Sequence, residues 1–474
     1  MATGDLLSFG PYVLDLDTRR LTRDDAEVRL GSRHLDLLCL LASHPGQVLS
    51  KDVLIERAWR DVAVTTGSLD QAIHILRKTL PLPDGAPCIE TQARSGYRFV
   101  AGVSRIQRRE SDAAIDAVLE THRAWIDGRA ALETLKGDAV IRARAVFERV
   151  VRRTPGQAAA HVGLANACAL QFEMTRTDAQ AERAALDVAH RHAREACRLD
   201  PRYGEAWATL GFVLERIGRC DDALAAARQA IVLEPDNWRH HLRLSAASWG
   251  EERLREARRT LTLLPGLAMA HWLAASVLVA RQALPEAERE LVAGLADSHD
   301  GDHSSRFSSV ALHWLLGLIA LAAGDAPRAL EWFEGELRQE HGGHLYSREC
   351  AANTWYAIAA TRRRKGDLDG AQAGFHECLR RVPTHPFARA ALGMDPSAAH
   401  QGSAVDAAIA KAVACVGRDD VQGCDAEAAE IERGLMEATT GNAGWLLPVD
   451  PMLNLPSRPE TWLGVCGWLR RRAA

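Results

Sequence analysis

The hydrophobic period of the chain changes from two to about 3.6 near residue 31. Before that point, apolar and polar residues alternate in two short runs, Tyr12 to Leu16 and Glu27 to Leu30, separated by polar turns. Alternation of this kind buries one face of an extended segment, so a small antiparallel sheet is expected first. Leu35, Leu37, Leu38, Leu40 and Leu41 then follow Ser32, a candidate N-cap, and His44-Pro45-Gly46 should stop this first helix. Ser50 is placed to cap a second helix that turns Val53, Leu54 and Ala58 inward and ends at Trp59. A third helix is expected from Thr65 and Thr66 to Leu80, just before Pro81.

Leu69, Ile73, Leu76 and Leu80 fall on one stripe of that third helix, which marks its buried face. Gln71, His74 and Lys78 share the other face, with Ile75 nearby. An amide, an imidazole and an ammonium so arranged could reach base edges and phosphates in a major groove. Two strands follow, Cys88 to Thr91 and Gly96 to Val100, with Arg94 at the tip of their hairpin and Arg98 on the return strand. Sheet, three helices and a basic terminal hairpin together describe a winged helix.

From about residue 121 a different regularity takes over. An Ala is followed four residues later by an aromatic or small apolar residue, and three later by another in most cases, seven times. The first case is Ala143/Phe147/Val150, and Ala189/Ala193/Ala196, Ala223/Ala227/Ala230 and Ala257/Leu261/Leu264 follow. Ala287/Leu291/Gly294, Ala329/Phe333/Glu336 and Ala371/Phe375/Cys378 complete the set. Ala189, Ala223 and Ala257 are 34 residues apart, as are Pro201 and Pro235, and 34 is the tetratricopeptide period. The unit is a helix-turn-helix in which small residues allow close approach, and stacked units build a solenoid with a concave groove. Later blocks drift to spacings of 30 and 42, and the second carries an insertion around Phe172 to Ala184. Every Ala, Trp and Phe of these blocks is assigned to packing. The expected fold is therefore multidomain and mainly α: a winged helix over 1–104, a charged linker over 105–120, a repeat array over 121–395 and a helical capping segment over 396–474.

Within the first hundred residues the order of landmarks is specific. Leu35, Leu37, Leu38, Leu40 and Leu41 precede His44-Pro45-Gly46, Val48-Leu49-Ser50-Lys51, Ala58-Trp59, Leu76-Arg77-Lys78, Ile89-Glu90-Thr91 and Gly96-Tyr97-Arg98-Phe99. This pattern, over about residues 5–104, closely resembles the OmpR/PhoB-type winged-helix DNA-binding domain. The resemblance implies that the Thr66–Leu80 helix enters the major groove while the wing touches the minor groove. It implies phosphate contacts from Trp59, Thr65, Thr66, Arg77 and Lys78, base contacts from Gln71 and His74, and basic wing contacts at Arg94 and Arg98. Simpler roles stay open: Arg77 could pair with Asp70, Trp59 could be core, and His74 could be a solvated surface residue. Family members often place arginines where this chain has His74 and Ile75.

Composition narrows the remaining choices. A chain of 474 residues with 47% hydrophobic content exceeds what one core supports and is not disordered. The net charge of −4 hides a small asymmetry, since residues 1–109 carry 15 Lys and Arg against 13 Asp and Glu. The 10 cysteines form no CxxC pair, which points to packing thiols in a reducing, cytoplasmic setting. The N-terminus lacks the pattern of a signal peptide, no receiver domain is expected ahead of the winged helix, and the apolar stretch Val310 to Ala323 is too short to span a bilayer. No nucleotide-binding, protease, hydrolase or kinase motif occurs, so no enzyme and no cofactor is expected. His299 to His303 and His341 to His344 are assigned to turns rather than metal. The leading reading is a transcription regulator that binds double-stranded DNA, with a homodimer on DNA admitted, and a protein, peptide or ligand in the repeat groove. The alternative is a scaffold whose winged helix no longer reads DNA.

Overall fold

The computed structural model describes the chain except residues 1–5, 17, 25, 60–65, 83–84, 94, 107–111, 179, 298–309, 396–402 and 439–440. The N-terminal unit has two small antiparallel sheets. In the first, β1 (Leu6–Phe9), β2 (Tyr12–Asp15), β3 (Arg20–Arg23), β4 (Ala26–Glu27) and β8 (Val103–Ile106) lie in the order β4-β3-β2-β1-β8. In the second, β5 (Val48–Leu49), β7 (Gly96–Phe99) and β6 (Ile89–Gln92) lie in the order β5-β7-β6. Alternate residues Leu7, Phe9, Tyr12, Leu14 and Leu21 are buried, as period-two strands require. Phe9 stacks on Tyr12 at 5.4 Å and meets Phe99 edge-on at 5.1 Å, so one aromatic cluster joins the two sheets.

Four of these strands, β1, β3, β5 and β8, are not expected from the sequence. β1 is Leu-Leu-Ser-Phe and β3 has the single apolar residue Leu21, too little pattern to register. The expected strand from Glu27 ends at once, with Glu27 the last residue of β4. Gly96 shows why glycine opens the return strand: its φ is +130°, and a Cβ there would lie 2.0 Å from the Leu49 carbonyl oxygen of β5.

Three helices pack on this frame: α1 (Ser32–Ala42), α2 (Lys51–Ala58) and α3 (Thr66–Thr79). Gly31 rather than Ser32 is the N-cap of α1, and Ser32 is its first helical residue. Ser50 does cap α2, its hydroxyl accepting from the Val53 amide at 3.2 Å. Leu69, Ile73, Leu76 and Leu80 are all at most 1% exposed, so the stripe on α3 is the buried one.

The rest of the described chain is helical hairpins. They pair α4 (Asp112–Glu133) with α5 (Gly137–Arg153), α6 (Ala158–Thr175) with α7 (Arg183–Leu199), and α8 (Gly204–Arg216) with α9 (Cys220–Leu233). Next come α10 (Trp238–Ala247) with α11 (Gly250–Leu263), α12 (Ala268–Ala280) with α13 (Leu284–Asp297), and α14 (Leu312–Ala322) with α15 (Ala326–Leu337). After α16 (Ser347–Arg364) and α17 (Leu368–Arg381), the short α18 (Pro386–Ala391) leads to a further hairpin, α19 (Ala404–Gly417) with α20 (Val421–Glu437). The seven Ala-centred blocks fall on α5, α7, α9, α11, α13, α15 and α17, the second helix of each unit. Among the described residues no helix is long and apolar enough to cross a membrane.

Small residues let neighbouring helices close, both between units (α5 with α6) and within one (α14 with α15). A Cβ on Gly163 would stand 2.2 Å from the Phe147 ring, and one on Gly317 would stand 2.3 Å from the Phe333 ring. Successive units are also stitched by a recurring bond over six residues. His161 Nε2 donates to the Pro155 carbonyl at 2.9 Å, Trp207 Nε1 to Pro201 at 2.8 Å and His241 Nε2 to Pro235 at 2.8 Å.

The array curves until its beginning meets its far part. The Leu345 amide donates to the Leu135 carbonyl at 2.8 Å, and the Tyr346 hydroxyl to buried Glu173 at 2.8 Å. Arg348 pairs with Asp178 at 2.6 Å, and the Thr384 hydroxyl donates to the Thr177 carbonyl at 2.7 Å. The C-terminal helix α21 (Leu463–Ala473) packs on α20 of the last hairpin and also reaches back along the array. Its other side meets α11 and α12, where Arg281 Nε donates to the Ala473 carbonyl at 2.8 Å.

Seven cysteines are buried, but Cys39 and Cys466 are half-buried and Cys220 is exposed at the start of α9, so packing does not account for all ten.

Candidate nucleic-acid interface

On α3 the buried stripe faces the domain core, and Gln71, His74 and Lys78 are exposed on the opposite side. Ile75, between them, is half-buried. The helix is held in this rotation by polar ties that flank the stripe. Asp70 accepts from Lys51 Nζ of α2 at 2.9 Å and from the Tyr97 hydroxyl of β7 at 2.6 Å. Those two bonds, Lys51 first, hold the Asp70 carboxyl below the ordinary carboxylate range. Burial, with Asp70 beside it, pushes the Tyr97 phenol up to about 12.

Arg77 makes the second tie. Its Nε donates to the Ile89 carbonyl at 2.8 Å and its Nη2 to the Thr91 hydroxyl at 2.9 Å, both on β6. It therefore fastens α3 to the β6–β7 hairpin and does not pair with Asp70, whose cation is Lys51. Arg98, on the return strand, pairs with Glu90 across the hairpin at 2.7 Å. Trp59 is 9% exposed and belongs to the core of the unit. Thr66 is the first residue of α3, while Thr65 and Arg94 lie outside the described residues.

The structure thus brings Gln71, His74 and Lys78 together on one open face and gives Arg77 and Arg98 structural partners. Lys51 and Tyr97 escaped the sequence reading because they stand 19 and 27 residues from Asp70, distances that no helical or strand period relates. A glutamine amide can pair in bidentate fashion with adenine, and a lysine with guanine or a phosphate.

The side of the domain that carries α1 is electrostatically coupled to the array. Arg19 pairs with Asp36 at 2.5 Å. Arg33 donates to the Ala58 carbonyl at 3.1 Å, and burial together with the like charges of Arg239 and Arg129 holds its guanidinium below the ordinary arginine range. Arg129 is itself paired with Glu205, and Arg239 with Glu133 at 2.8 Å.

Among the described residues no group of three or more His, Cys, Asp or Glu side chains is arranged to hold a metal. His299 to His303 lie outside them. His344 is buried and accepts from the Tyr346 amide at 3.3 Å.

Residues 25–99 match the family model described as transcriptional regulatory protein, C terminal, and residues 209–268 and 306–342 match the tetratricopeptide repeat. The N-terminal unit is an OmpR/PhoB-type winged helix, and the array behind it carries tetratricopeptide repeats. The cholera toxin transcriptional activator of Vibrio cholerae serotype O1 is 36% identical over 109 residues, 21% of this chain and 37% of the activator. The phosphate regulon transcriptional regulatory protein PhoB of Rhizobium meliloti is 37% identical over 93 residues, 19% of this chain and 41% of its own length. The chain therefore spans less than half the length of these two curated relatives. The solved DNA-binding domain of E. coli CadC is 30% identical, covers 22% of this chain and 99% of that domain, and superposes with a TM-score of 0.21.

Proposed function

We propose that the protein is a transcription regulator that binds double-stranded DNA through α3 and the wing, and that its solenoid binds a partner whose presence alters DNA binding. The observation that carries the first half is the exposed Gln71, His74 and Lys78 face on a helix whose rotation is fixed by Asp70 and Arg77. A pre-set helix avoids the ordering cost of presenting base-reading groups, which favours specific over diffuse contact. Gln71 and His74 are assigned to bases, Lys78 to a phosphate, and Thr65, Thr66 and the wing arginines Arg94 and Arg98 to the flanking backbone. Arg77 and Trp59 act mainly by holding the domain in shape, leaving at most one edge of each for a phosphate.

The second half is supported by the charges of Arg129 on α4 and Arg239 on α10, which act on Arg33 and set charged groups of the array near the DNA-binding unit. A ligand that shifts α4 or α10 would change that interaction, and differential affinity for two arrangements is all that a switch requires. The test is selection of genomic fragments by the purified full-length chain, followed by sequencing. A regulator enriches a small set of fragments sharing a motif. A scaffold that has lost DNA reading enriches none above the random background.

A further inference from the structure

We infer that the solenoid contains a small-molecule site whose ligand is an organic cation with an aromatic or apolar body. This gives a chemical class to the partner proposed above, and rests on that reading only for its regulatory consequence. The site is a cavity of about 460 Å3 formed where the array closes on itself. One wall is Arg176 and Thr177 after α6, another is α14 and α16, and the rest comes from the α17–α18 connection, the start of α19 and the loop 442–451. The size suits a compact ligand of one or two rings and excludes a folded partner.

The walls are aromatic. Trp314, Tyr356, Phe387 and Trp445 all line the space. Tyr356 is held by ring contacts to His385 at 5.2 Å and Phe387 at 6.1 Å, and Trp445 stands edge-on to Trp272 at 5.6 Å. These rings cannot swing freely, so their faces are offered in fixed positions. The Tyr356 hydroxyl is buried without a hydrogen-bond partner, a group that a native interior seldom leaves unmade.

The charges are unbalanced. Arg176 is already spent on Glu349 and Glu173. His385 is neutral, because its Nδ1 accepts from the Ala388 amide at 3.1 Å and its Nε2 faces the Asn353 amide oxygen at 3.0 Å. Asp406 accepts from the amide and hydroxyl of Ser403, and Asp450 from the amides of Met452 and Leu453 at 2.9 and 2.8 Å. Neither Asp406 nor Asp450 has a Lys, Arg or His within ion-pair distance among the described residues, and Arg364 acts on Asp450 only from farther away. Burial raises the Asp450 carboxyl to about 6, which leaves it mostly ionised at neutral pH but poorly solvated. A carboxylate in such surroundings gains most from a cation that arrives with its own apolar surface, and aromatic faces attract the same charge. An anion would add to the excess, and a neutral hydrocarbon would leave both carboxylates uncompensated.

Because the cavity needs walls from the second, sixth, seventh and last hairpins, occupancy would tighten the closure of the array. The test uses the purified full-length chain without DNA, so that it is independent of DNA binding. Isothermal titration with 2-phenylethylamine, 2-phenylethanol and phenylacetate near neutral pH compares one ring carrying a positive, a neutral and a negative group. Saturable one-to-one binding of the amine, with the alcohol and the carboxylate each at least about tenfold weaker, is expected. Asp450→Asn keeps an oxygen for the Met452 and Leu453 amides, so its fold is retained while amine affinity falls about tenfold or more, and Phe387→Ala falls comparably. Unfolding temperature measured alongside separates lost binding from lost structure. Phenylacetate binding as tightly as the amine, undiminished amine binding by a folded Asp450→Asn, or no binding of the amine at millimolar concentration would each overturn the inference.

Discussion

Replacing Arg77 with alanine and, separately, Lys78 with alanine should weaken DNA binding by two different routes. Arg77 donates two charge-assisted bonds to β6, at 2.8 and 2.9 Å, and lies 6.0 Å from the Tyr97 ring. Such bonds contribute roughly 1.5–3 kcal/mol each when shielded, and the half-buried setting of Arg77 reduces the pair to about 1–2 kcal/mol. For a unit of this size, about 1 kcal/mol moves the unfolding midpoint by roughly 4–8 °C. Arg77→Ala should therefore lower the first thermal transition by several degrees and loosen the wing. Lys78 is exposed, so Lys78→Ala should leave the transition in place, within about 0.5 kcal/mol. It should instead reduce the slope of log K against log salt by about 0.9, the mark of one phosphate left without its cation. Calorimetry and fluorescence anisotropy on the same preparations give both readouts. An Arg77→Ala protein that unfolds at the wild-type temperature, or a Lys78→Ala protein with an unchanged salt slope, would refute the assignment.

Other consequences follow from the array. Gly317→Ala should destabilise it by about 1–2 kcal/mol, because overpacking the fully buried Phe333 ring at 2.3 Å outweighs the roughly 1 kcal/mol gained in helix propensity. Gly467→Ala on α21, with nothing within 4 Å of the new methyl, should stabilise by up to about 1 kcal/mol, and urea midpoints compare the two. Burial, with His161 alongside, pushes His192 down to about 4, and burial alone does the same for His344. The unfolded chain then takes up protons from pH 6.5, where the folded chain does not. Stability is complete above that pH and falls on descending to pH 4, by up to ~3 kcal/mol for buried His344 and by less for half-buried, solvent-screened His192. Asp450 works oppositely: its carboxyl, raised to about 6 by burial from 3.8, contributes stability that appears as pH falls through 6. Urea midpoints across this range should fall with pH, and more steeply in Asp450→Asn, which is neutral throughout; a flat profile for both proteins would contradict the burial argument. Cys220 is exposed while burial raises Cys39 to about 12 and also raises Cys466. One thiol in ten should react rapidly with a disulfide reagent in the native protein, and none in Cys220→Ser.

What the sequence made legible was local and periodic. The stripe of Leu69, Ile73, Leu76 and Leu80, the Ser50 cap and the seven Ala-centred blocks each rest on residues within one or two helical turns, and each stands in the structure as expected. Strands too short to alternate, such as Arg20–Arg23 with its one apolar residue, left no such mark. Ser32 misled because a serine preceding a helical run is as good a cap in sequence as Ser50, and only backbone geometry places the cap at Gly31. The features that organise function join residues far apart. Lys51 and Tyr97 converge on Asp70, and Glu173 meets Tyr346 across 173 positions. Closure of the array, and hence the cavity between its ends, depends on the accumulated curvature of many hairpins, which no single repeat encodes.

The central claim is that α3 reads DNA, and one titration bears on it most directly. Full-length protein is titrated onto a duplex from its own upstream region over a range of salt concentrations. It is compared with the variant Gln71→Ala/His74→Ala/Lys78→Ala, whose changes lie on the exposed face. The account predicts a log–log slope near −5 for about six neutralised phosphates in the wild type, and loss of binding in a triple variant that unfolds at the wild-type temperature. Equal affinity of the triple variant, or no binding of any duplex by the wild type, random genomic fragments included, would contradict it.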